Sequence, residues 1–170
     1  MSQPGLSDWL GRRETQTVYA DPAIASRLAA ILDYQTPPPE PPLLWHWLLF
    51  TPDSRQSDLD QDGHPRRGGF LPPIELPRRM WAGGDLQFHR PLLPGEPLER
   101  RTTLAELQRK QGRSGELLFL TLQHDYFQAD RLCLQERQDI VYRDGISPAK
   151  PAAAAHASTT GSASQQLPAT

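Results

Sequence analysis

The chain has 170 residues, a length typical of one domain, and it combines 37% apolar side chains with 18 prolines, which predicts long loops around a modest core. Its net charge of −2 offers no basic field that would gather nucleic acid or anionic lipid. The single cysteine, Cys133, excludes an internal disulfide and a cysteine-based zinc site. With no signal-like or membrane-length apolar run, the sequence predicts a soluble, cytoplasmic protein.

The first part of the chain predicts two helices and one strand. Ser7 is placed to cap a short helix over residues 8–10, and residues 14–20 alternate as a strand does. Asp21 followed by Pro22 is typical of a helix start, with Asp21 as the capping side chain. The apolar residues that follow recur at helical spacing and predict about three turns. They are Ile24, Leu28, Ile31 and Leu32.

The middle of the chain is rich in proline and polar residues. The prolines of residues 36–42 end the helix and extend the chain. Residues 43–50, LLWHWLLF, are apolar on every side, so their pattern allows either a short buried helix or a buried strand. Residues 51–77 form a polar loop rich in glycine and proline, and the length of this loop suggests a role in binding.

The second half of the chain predicts antiparallel strands. Four segments have strand character, over residues 84–92, 98–110, 116–128 and 132–144, separated by the turns PGEP, GRSG and QADR. The last two strands are joined tightly enough to form a hairpin. Helices followed by antiparallel strands predict an α+β fold for residues 1–145. The remaining residues, 146–170, are rich in alanine, serine and proline and predict a disordered tail or linker.

Asp85 and His89 look like an acid–base pair and are the weak catalytic candidates of this chain. On a strand, residues four apart share a face, but at about 3.3 Å per residue their backbones lie roughly 13 Å apart, too far for a direct hydrogen bond. On a helix they would meet, yet the glycine pair before them and Pro91 after them argue against a helix. The alternative interpretation is that both are polar residues on an open sheet face.

Two further motifs imitate functional sites. The sequence DLDQDG at residues 58–63 has the spacing of the start of a calcium loop, but the twelfth position, which needs a bidentate acid, is Gly69. A polar turn is the favoured interpretation, and no metal site is predicted. His46, between two tryptophans, is interpreted as a hydrogen-bonded core residue, because no acid within the run would make it a proton relay.

Arg78, Arg79 and Trp81 form a different kind of candidate site. Two planar cations beside a large flat ring suit a ligand that carries phosphates and an adenine, such as coenzyme A. The alternative is an ordinary buried tryptophan with two arginines at the surface.

Several long stretches are similar to a known family. The sequences RRMWAGG at 78–84, KQGRSGELLFLTLQHDY at 110–126 and QERQDIVYR at 135–143 resemble the N-terminal half of type-two, MaoC-like hydroxyacyl-thioester dehydratases. Mesaconyl-CoA and itaconyl-CoA hydratases belong to this group. The resemblance runs from about Asp8 to Asp144. It implies a hotdog fold, in which an antiparallel sheet curls around a central helix, here around residues 43–50.

The resemblance implies reversible hydration of a 2-enoyl thioester carried by coenzyme A or acyl carrier protein, without a metal or redox cofactor. In the family, the catalytic aspartate, histidine and asparagine lie on a second hotdog. Here residues 146–170 look like the linker to that domain and no second hotdog follows, so the resemblance implies the substrate-binding half. The residues implied for substrate binding are Arg78, Arg79, Met80, Trp81, Gly83 and Gly84.

Three interpretations of the whole chain follow from this resemblance. The chain is the substrate-binding part of a hydratase and works with a second hotdog in a homodimer or a heterodimer. Alternatively, it is a non-catalytic subunit that binds acyl-CoA or has a structural role, or it is an inactive, truncated remnant. The expected partners are an acyl-CoA thioester and a second hotdog chain, and neither nucleic acid nor a membrane is expected.

Overall fold

The computed structural model describes residues 5–112 and 115–144, and these residues form one antiparallel sheet, one α-helix and three short 3-10 turns. The elements are β1 (Arg13–Tyr19), α1 (Pro22–Ile31), β2 (Arg78–Phe88), β3 (Pro97–Gly112), β4 (Gly115–Gln128) and β5 (Arg131–Arg143), with 3-10 turns at Leu6–Trp9, Trp45–Leu48 and Gln56–Asp58. The strands lie in the order β1-β3-β4-β5-β2, and all neighbours are antiparallel. The predicted α+β class is confirmed.

One face of the sheet is buried because side chains alternate along each strand. In β4, alternate residues from Leu118 to Gln128 are buried and most of those between them are partly exposed. The inner face is the face that carries Leu98, Leu120 and Leu134, none of which has exposed surface. Its polar and apolar residues together form the floor of the candidate site.

Two apolar clusters pack on the inner face and leave a polar strip between them. The first contains α1, the Trp45–Leu48 turn and their sheet contacts, with Ala25, Trp45, Leu98, Tyr126 and Leu134 among its members. The second lies further along the strands, with Trp9, Ile74, Leu104, Leu120 and Ile140 among its members. The polar residues between the clusters belong to β3, β4 and β5.

The hairpins close as their turn residues require. Ala129 and Asp130 both have positive φ, 46° and 59°, as a type I′ turn does, so the predicted tight hairpin of β4 and β5 is confirmed. Gly112, the last residue of β3, lies opposite Gly115, the first residue of β4. Residues 113 and 114 of the predicted GRSG turn lie outside the described residues, as do residue 145 and the predicted tail 146–170.

The two predicted helix starts differ in outcome. Asp21 caps α1 as predicted, because its side chain accepts a hydrogen bond from the backbone N of Ala23 at 2.8 Å. The N-terminal helix is a 3-10 turn held by Asp8, whose side chain accepts from the backbone N of Gly5 at 2.9 Å. Ser7, the predicted cap, lies inside that turn. None of the helices in the described part of the chain is long and apolar enough to cross a membrane.

The central helix expected around residues 43–50 is wrong in extent, since only Trp45–Leu48 coil, as one 3-10 turn. Prolines lie before and after the run, and Leu44 has a left-handed backbone with φ 71°, so the chain cannot continue as an α-helix. Trp45 is nevertheless buried against the inner face. The apolar cluster at this end of the sheet is therefore built from α1 and a short turn rather than from one long helix.

Candidate functional site

A cavity of about 710 Å³ lies between the inner face of the sheet and the loop that follows the Trp45–Leu48 turn. Residues of the segments 49–54 and 62–71 form its loop wall, so much of the loop predicted to act in binding does line a cavity. The floor of the cavity comes from the sheet. Its inner-face residues include Arg100, Thr102, His124, Gln138 and Tyr142.

Glu136 on β5 is the centre of a buried hydrogen-bond network beside this cavity. Its side chain accepts hydrogen bonds from the Tyr126 hydroxyl at 2.7 Å, from Trp47 Nε1 at 2.9 Å and from Gln138 Nε2 at 2.7 Å, and the residue is only 1% exposed. Burial alone would raise the pKa of Glu136, but the donor groups around the carboxylate, foremost His46 at 3.5 Å and then Gln138, Tyr126 and Trp47, outweigh burial and lower the pKa to about 2. Glu136 is therefore ionised at neutral pH.

His46 lies against this carboxylate. Its side chain has no exposed surface, its Nε2 is 3.5 Å from Glu136 Oε2, and its ring meets the Tyr126 ring edge-on with centroids 5.0 Å apart. Within the described residues neither ring nitrogen makes a hydrogen bond, so the predicted core position is confirmed but the predicted hydrogen bond is not formed. The local sequence around His46 shows no acid because Glu136 lies on a strand far along the chain.

His124 on β4 is a buried, neutral ring in the floor of the cavity. Its Nδ1 is 2.9 Å from Thr102 Oγ1, and its Nε2 makes no hydrogen bond with any described residue. Burial and, after it, the nearby cation of Arg100 lower the pKa of His124 to about 4. Among the described residues no carboxylate oxygen lies within 4.0 Å of the His124 nitrogens, so this histidine has no acid partner of the kind that a catalytic dyad needs.

Arg100 on β3 brings a positive charge to the same floor. Its guanidinium carbon lies 4.4 Å from the centroid of the Phe50 ring, and one guanidinium nitrogen donates to the side chain of Gln16. Arg100, His124 and Glu136 are not among the site residues predicted from the sequence. The signal that could have found them is a polar residue at an inward position of an alternating strand.

Trp81 on β2 is an exposed ring beside the site. Its side chain is 66% exposed, and it meets Trp47 edge-on with ring centroids 6.3 Å apart. A bulge between Trp81 and Gly83 shifts the register, so that Trp81 and Gly84 both face the inner side. A second cavity, of about 310 Å³, is lined by His46, Trp47, Phe50, Trp81, Arg100, Tyr126 and Gln138.

Comparison with known proteins identifies the family of this chain. The model of the family described as hydroxyacyl-thioester dehydratase type 2 matches residues 44–170. The chain belongs to this family. A curated relative, the mesaconyl-C(4)-CoA hydratase of Chloroflexus aurantiacus, is 43% identical over 154 residues, which cover 87% of this chain and 54% of the relative. The dehydratase-family chain thus spans about half the length of this curated relative.

Two solved structures from Mycobacterium tuberculosis share the fold. The ChsH1–ChsH2 complex matches with a TM-score of 0.56 and 18% identity, over 79% of this chain and 86% of that chain. The C-terminally truncated HadBC (3R-hydroxyacyl-ACP dehydratase) complex matches with a TM-score of 0.51 and 12% identity, over 80% and 98%. At these identities the likeness concerns the fold alone. The predicted hotdog fold is confirmed, as an open sheet of five antiparallel strands.

The predicted substrate-binding segment is split between the two faces of β2. Arg79 lies opposite Tyr142 on the inner face and lines the larger cavity. Arg78 and Met80 alternate with it and point to the outer side, where both are exposed. A side chain at Gly84 would meet the Trp81 ring, while a side chain at Gly83 would have nothing within 4 Å. The role of this segment in binding stays a prediction.

Within the described residues, Asp85 and His89 form neither a hydrogen bond nor an ion pair with each other. Asp85 lies opposite Arg137 on the outer face of the sheet. His89 lies just beyond the end of β2, and its Nε2 is 3.0 Å from Gln135 Oε1. Neither residue lines the two cavities described above, and His89 instead lines a separate cavity of about 250 Å³ beside Trp45 and His46.

The segment that imitates a calcium loop is a turn of the cavity wall. Leu59 and Pro65 form an isolated antiparallel bridge, and Asp62 binds both the backbone N of His64 at 3.1 Å and the Arg67 guanidinium at 3.3 Å. In the parts of the chain that the structure describes, no three histidine, cysteine or acidic side chains converge as metal ligands. The hydrogen bonds of Asp62 therefore stabilise this turn.

Replacing Gly84 with alanine should displace the Trp81 indole and lower the free energy of unfolding by about 1–2 kcal/mol. The added Cβ would lie 3.0 Å from the carbonyl oxygen of Arg137 and 3.2 Å from Cζ2 of Trp81. Tryptophan fluorescence and urea denaturation measure the two effects. Gly83→Ala is the matched control, because its Cβ meets nothing within 4 Å, and equal effects of the two variants would contradict the prediction.

Proposed function

We propose that this chain is the substrate-binding half of an enoyl-thioester hydratase, which is a 3-hydroxyacyl-thioester dehydratase in the reverse direction. Its carrier would be coenzyme A or acyl carrier protein. The observation that carries the proposal is a cavity of about 710 Å³ on the inner face of a hotdog sheet, in a chain of this dehydratase family. A pocket of this size is in the range of small-molecule sites.

The chemistry explains why a second hotdog is needed. Adding water across a 2-enoyl thioester forms a C–O bond at C3 while one group removes a proton from water and a proton is delivered to C2. An acid–base group must therefore face the reacting atoms. In the described part of this chain, Glu136 already accepts three hydrogen bonds and His124 has no acid behind it. These observations support a substrate-binding role with the acid–base group supplied by a partner.

The free edge of β2 is the surface that we propose for the second hotdog. β2 is eleven residues long, lies at one end of the sheet and exposes the apolar side chains of Met80, Trp81 and Phe88. A long, apolar edge strand favours pairing with another strand. Two similar solved structures are complexes, which supports either a homodimer or a heterodimer here.

The carrier would bind at the Arg79–Trp81 end of the cavity. Arg79 lines the cavity and Trp81 offers an exposed flat ring near it, so phosphates and an adenine could each find a matching group. Arg78, Met80, Gly83 and Gly84 belong to the same stretch of β2. In this proposal the acyl chain extends from there along the floor of the cavity.

Hydration of crotonyl-CoA, followed by the loss of enoyl-thioester absorbance, tests the proposal. The purified chain alone should show no turnover and should bind the thioester in a titration. Activity should appear when a hotdog subunit carrying an aspartate–histidine pair is added. Turnover by the chain alone would contradict the half-site proposal and would make Asp85→Ala and His89→Ala the next variants to assay.

The same experiment decides the second candidate function, a non-catalytic subunit that binds acyl-CoA. The two histidine–carboxylate pairs beside the cavities, His46–Glu136 and His64–Asp62, favour it equally, because three donors hold Glu136, and Arg67 and the backbone N of His64 hold Asp62. Binding without activity in the presence of every hotdog partner would support it. Failure of the chain to bind any acyl-CoA, alone or with a partner, would contradict both functions.

The edge of β2 can be tested separately by sedimentation velocity. Met80→Lys places a charge on the proposed interface and should weaken association with the partner by about tenfold or more. Tyr19→Lys is the matched control, because Tyr19 is 60% exposed on β1, the opposite edge of the sheet. Equal weakening by both variants would argue against β2 as the interface.

A further inference from the structure

Two arginines face each other on the outer side of the sheet, at the end where β2 begins and β5 ends. Arg78 of β2 is the register partner of Arg143 of β5. The next pair, Arg79 and Tyr142, lines the larger cavity on the inner face, so alternation directs Arg78 and Arg143 away from that cavity. Cβ atoms of directly opposite residues lie about 4.5–5.5 Å apart, and like charges in this position destabilise a sheet. An anion between the two guanidinium groups would remove this repulsion.

Neither arginine has an acidic partner in the described part of the chain. No carboxylate oxygen there lies within 4.0 Å of the Arg78 or the Arg143 guanidinium, and Nε of Arg143 is buried without a hydrogen bond. Asp144 comes next in the chain, but its carboxylate lies beside the β3–β4 hairpin, where a Cβ at Gly115 would be 3.2 Å from Oδ2. Each guanidinium presents five N–H donors in a fixed fork, so the pair has donors for a ligand.

The charges on the remainder of the outer face leave this end of the sheet positive. Asp139 accepts hydrogen bonds from Thr121 at 2.7 Å and from Arg137 at 3.2 Å, and Glu106 lies 3.9 Å from the same arginine. Lys110 of β3 lies in the same transverse row as the two facing arginines, two strands away from β5. The row therefore carries three cations, while the acids further along the strands are engaged with other partners.

The adjacent row of the outer face is apolar. Val141 of β5 lies between Met80 of β2 and Phe119 of β4, each of which is its register partner. This row is two residues along the strands from the arginines, a distance of about 6.6 Å. Nζ of Lys110 lies 4.8 Å from the centroid of the Phe119 ring. A ligand that contacts both rows needs an anionic group and, at about this distance from it, a flat apolar group.

We propose that Arg78 and Arg143 bind the phosphate of a nucleoside monophosphate, and that its base lies on the apolar row of Met80, Val141 and Phe119. A phosphate monoester presents three strong acceptor oxygens to the two guanidinium forks, whereas a carboxylate presents two. The site lies on the face of the sheet opposite the larger cavity, so the inference does not rest on the proposed function. A free nucleotide and the nucleotide portion of coenzyme A offer the same chemistry.

Titration of the full chain with AMP, followed by ¹H–¹⁵N NMR, tests the inference. The amide signals of Arg78, Arg143 and Phe119 should shift together, with a dissociation constant of about 1 mM or tighter. Added salt should weaken binding, because the contacts are ionic and exposed. Adenosine, which lacks the phosphate, should bind at least about fivefold more weakly than AMP, and Arg78→Gln should weaken AMP binding by about fivefold.

Two matched variants locate the site. Arg13→Gln removes the same charge from the outer face at the opposite edge of the sheet, where Arg13 lies opposite Thr103, and it should leave AMP binding unchanged. Arg79→Gln removes a cation from the inner face and should also leave the outer-face shifts unchanged. If Arg78→Gln does not fold, as judged by far-UV circular dichroism, Arg143→Gln takes its place.

The inference is overturned if AMP shifts no outer-face signal, or if Arg79→Gln abolishes binding while Arg78→Gln does not. Equal weakening by Arg13→Gln would also overturn it. A second titration, with 3′,5′-ADP, distinguishes the sources of the phosphate. Tighter binding than AMP at the same residues would support the site and identify the nucleotide portion of coenzyme A, and equal or weaker binding would support the site for a free nucleotide. Acyl-CoA binding in the cavity is measured separately, so the proposed function stands or fails independently.

Discussion

Replacing Glu136 with alanine should lower the free energy of unfolding by about 3–5 kcal/mol, the usual cost of removing one partner from a buried ionic network. The hydroxyl of Tyr126, Nε1 of Trp47 and Nε2 of Gln138 all donate to its carboxylate, which is almost completely buried. Without it these three donors lose their acceptor, and the hydroxyl of Tyr126 does so away from solvent. The Trp47 indole, which packs against Trp81, would also lose its anchor.

Urea denaturation followed by far-UV circular dichroism measures this loss. Glu136→Gln keeps the shape of the side chain but not its charge, so it should fall between the alanine variant and the unaltered chain. Glu106→Ala is the control, since its side chain is 65% exposed and its one ionic contact among the described residues, with Arg137, is 3.9 Å long. It should change the free energy by no more than about 0.5 kcal/mol. A loss of less than about 1 kcal/mol in Glu136→Ala would show that the network is not structural.

The folded chain should lose stability steadily as the pH falls from about 6.5 to about 4. Burial lowers the pKa of His124 from 6.5 to about 4, so in this range the unfolded chain binds a proton at this residue and the folded chain does not. The loss attributable to His124 is on the order of 3 kcal/mol. Below pH 4.5 Glu136 contributes in the same direction, since its pKa of about 2 lies under its usual value of 4.5.

The free energy of unfolding at a series of pH values checks this second prediction. His124→Gln can still hydrogen-bond Thr102 but does not titrate, so its stability should be much flatter between pH 6.5 and 4.5. His89→Gln is the matched control, because His89 is exposed and lies just beyond the end of β2. The explanation fails if His124→Gln keeps the same slope as the unaltered chain.

The strands and α1 could be predicted because their determinants are local. Asp21 and Pro22 mark the helix start, and the alternation in β4 and β5 survives in the structure almost residue for residue. β2 begins at Arg78, earlier than the predicted residue 84, because β5 is long enough to pair with the whole segment. That extension depends on the partner strand and has no local signal.

Residues 43–50 show where a local pattern stops being informative. A run that is apolar on every side has no period, and the expectation of a long central helix came from the family resemblance. The left-handed backbone of Leu44 and the prolines around the run restrict the coil to Trp45–Leu48. The Trp45–Leu48 turn places Trp47 and His46 against Glu136, and these two side chains form part of the wall of the smaller cavity.

The sequence by itself determined the family, the α+β class and most strand positions. It also marked the segment from Arg78 to Gly84 as a candidate substrate-binding segment. Only the tertiary structure decided which side chains meet at the site. Arg100, His124 and Glu136 lie on three different strands, and each is an ordinary polar residue in its own stretch of sequence. Their burial, their hydrogen bonds and their pKa values arise from neighbours across the sheet, so a local pattern cannot contain them.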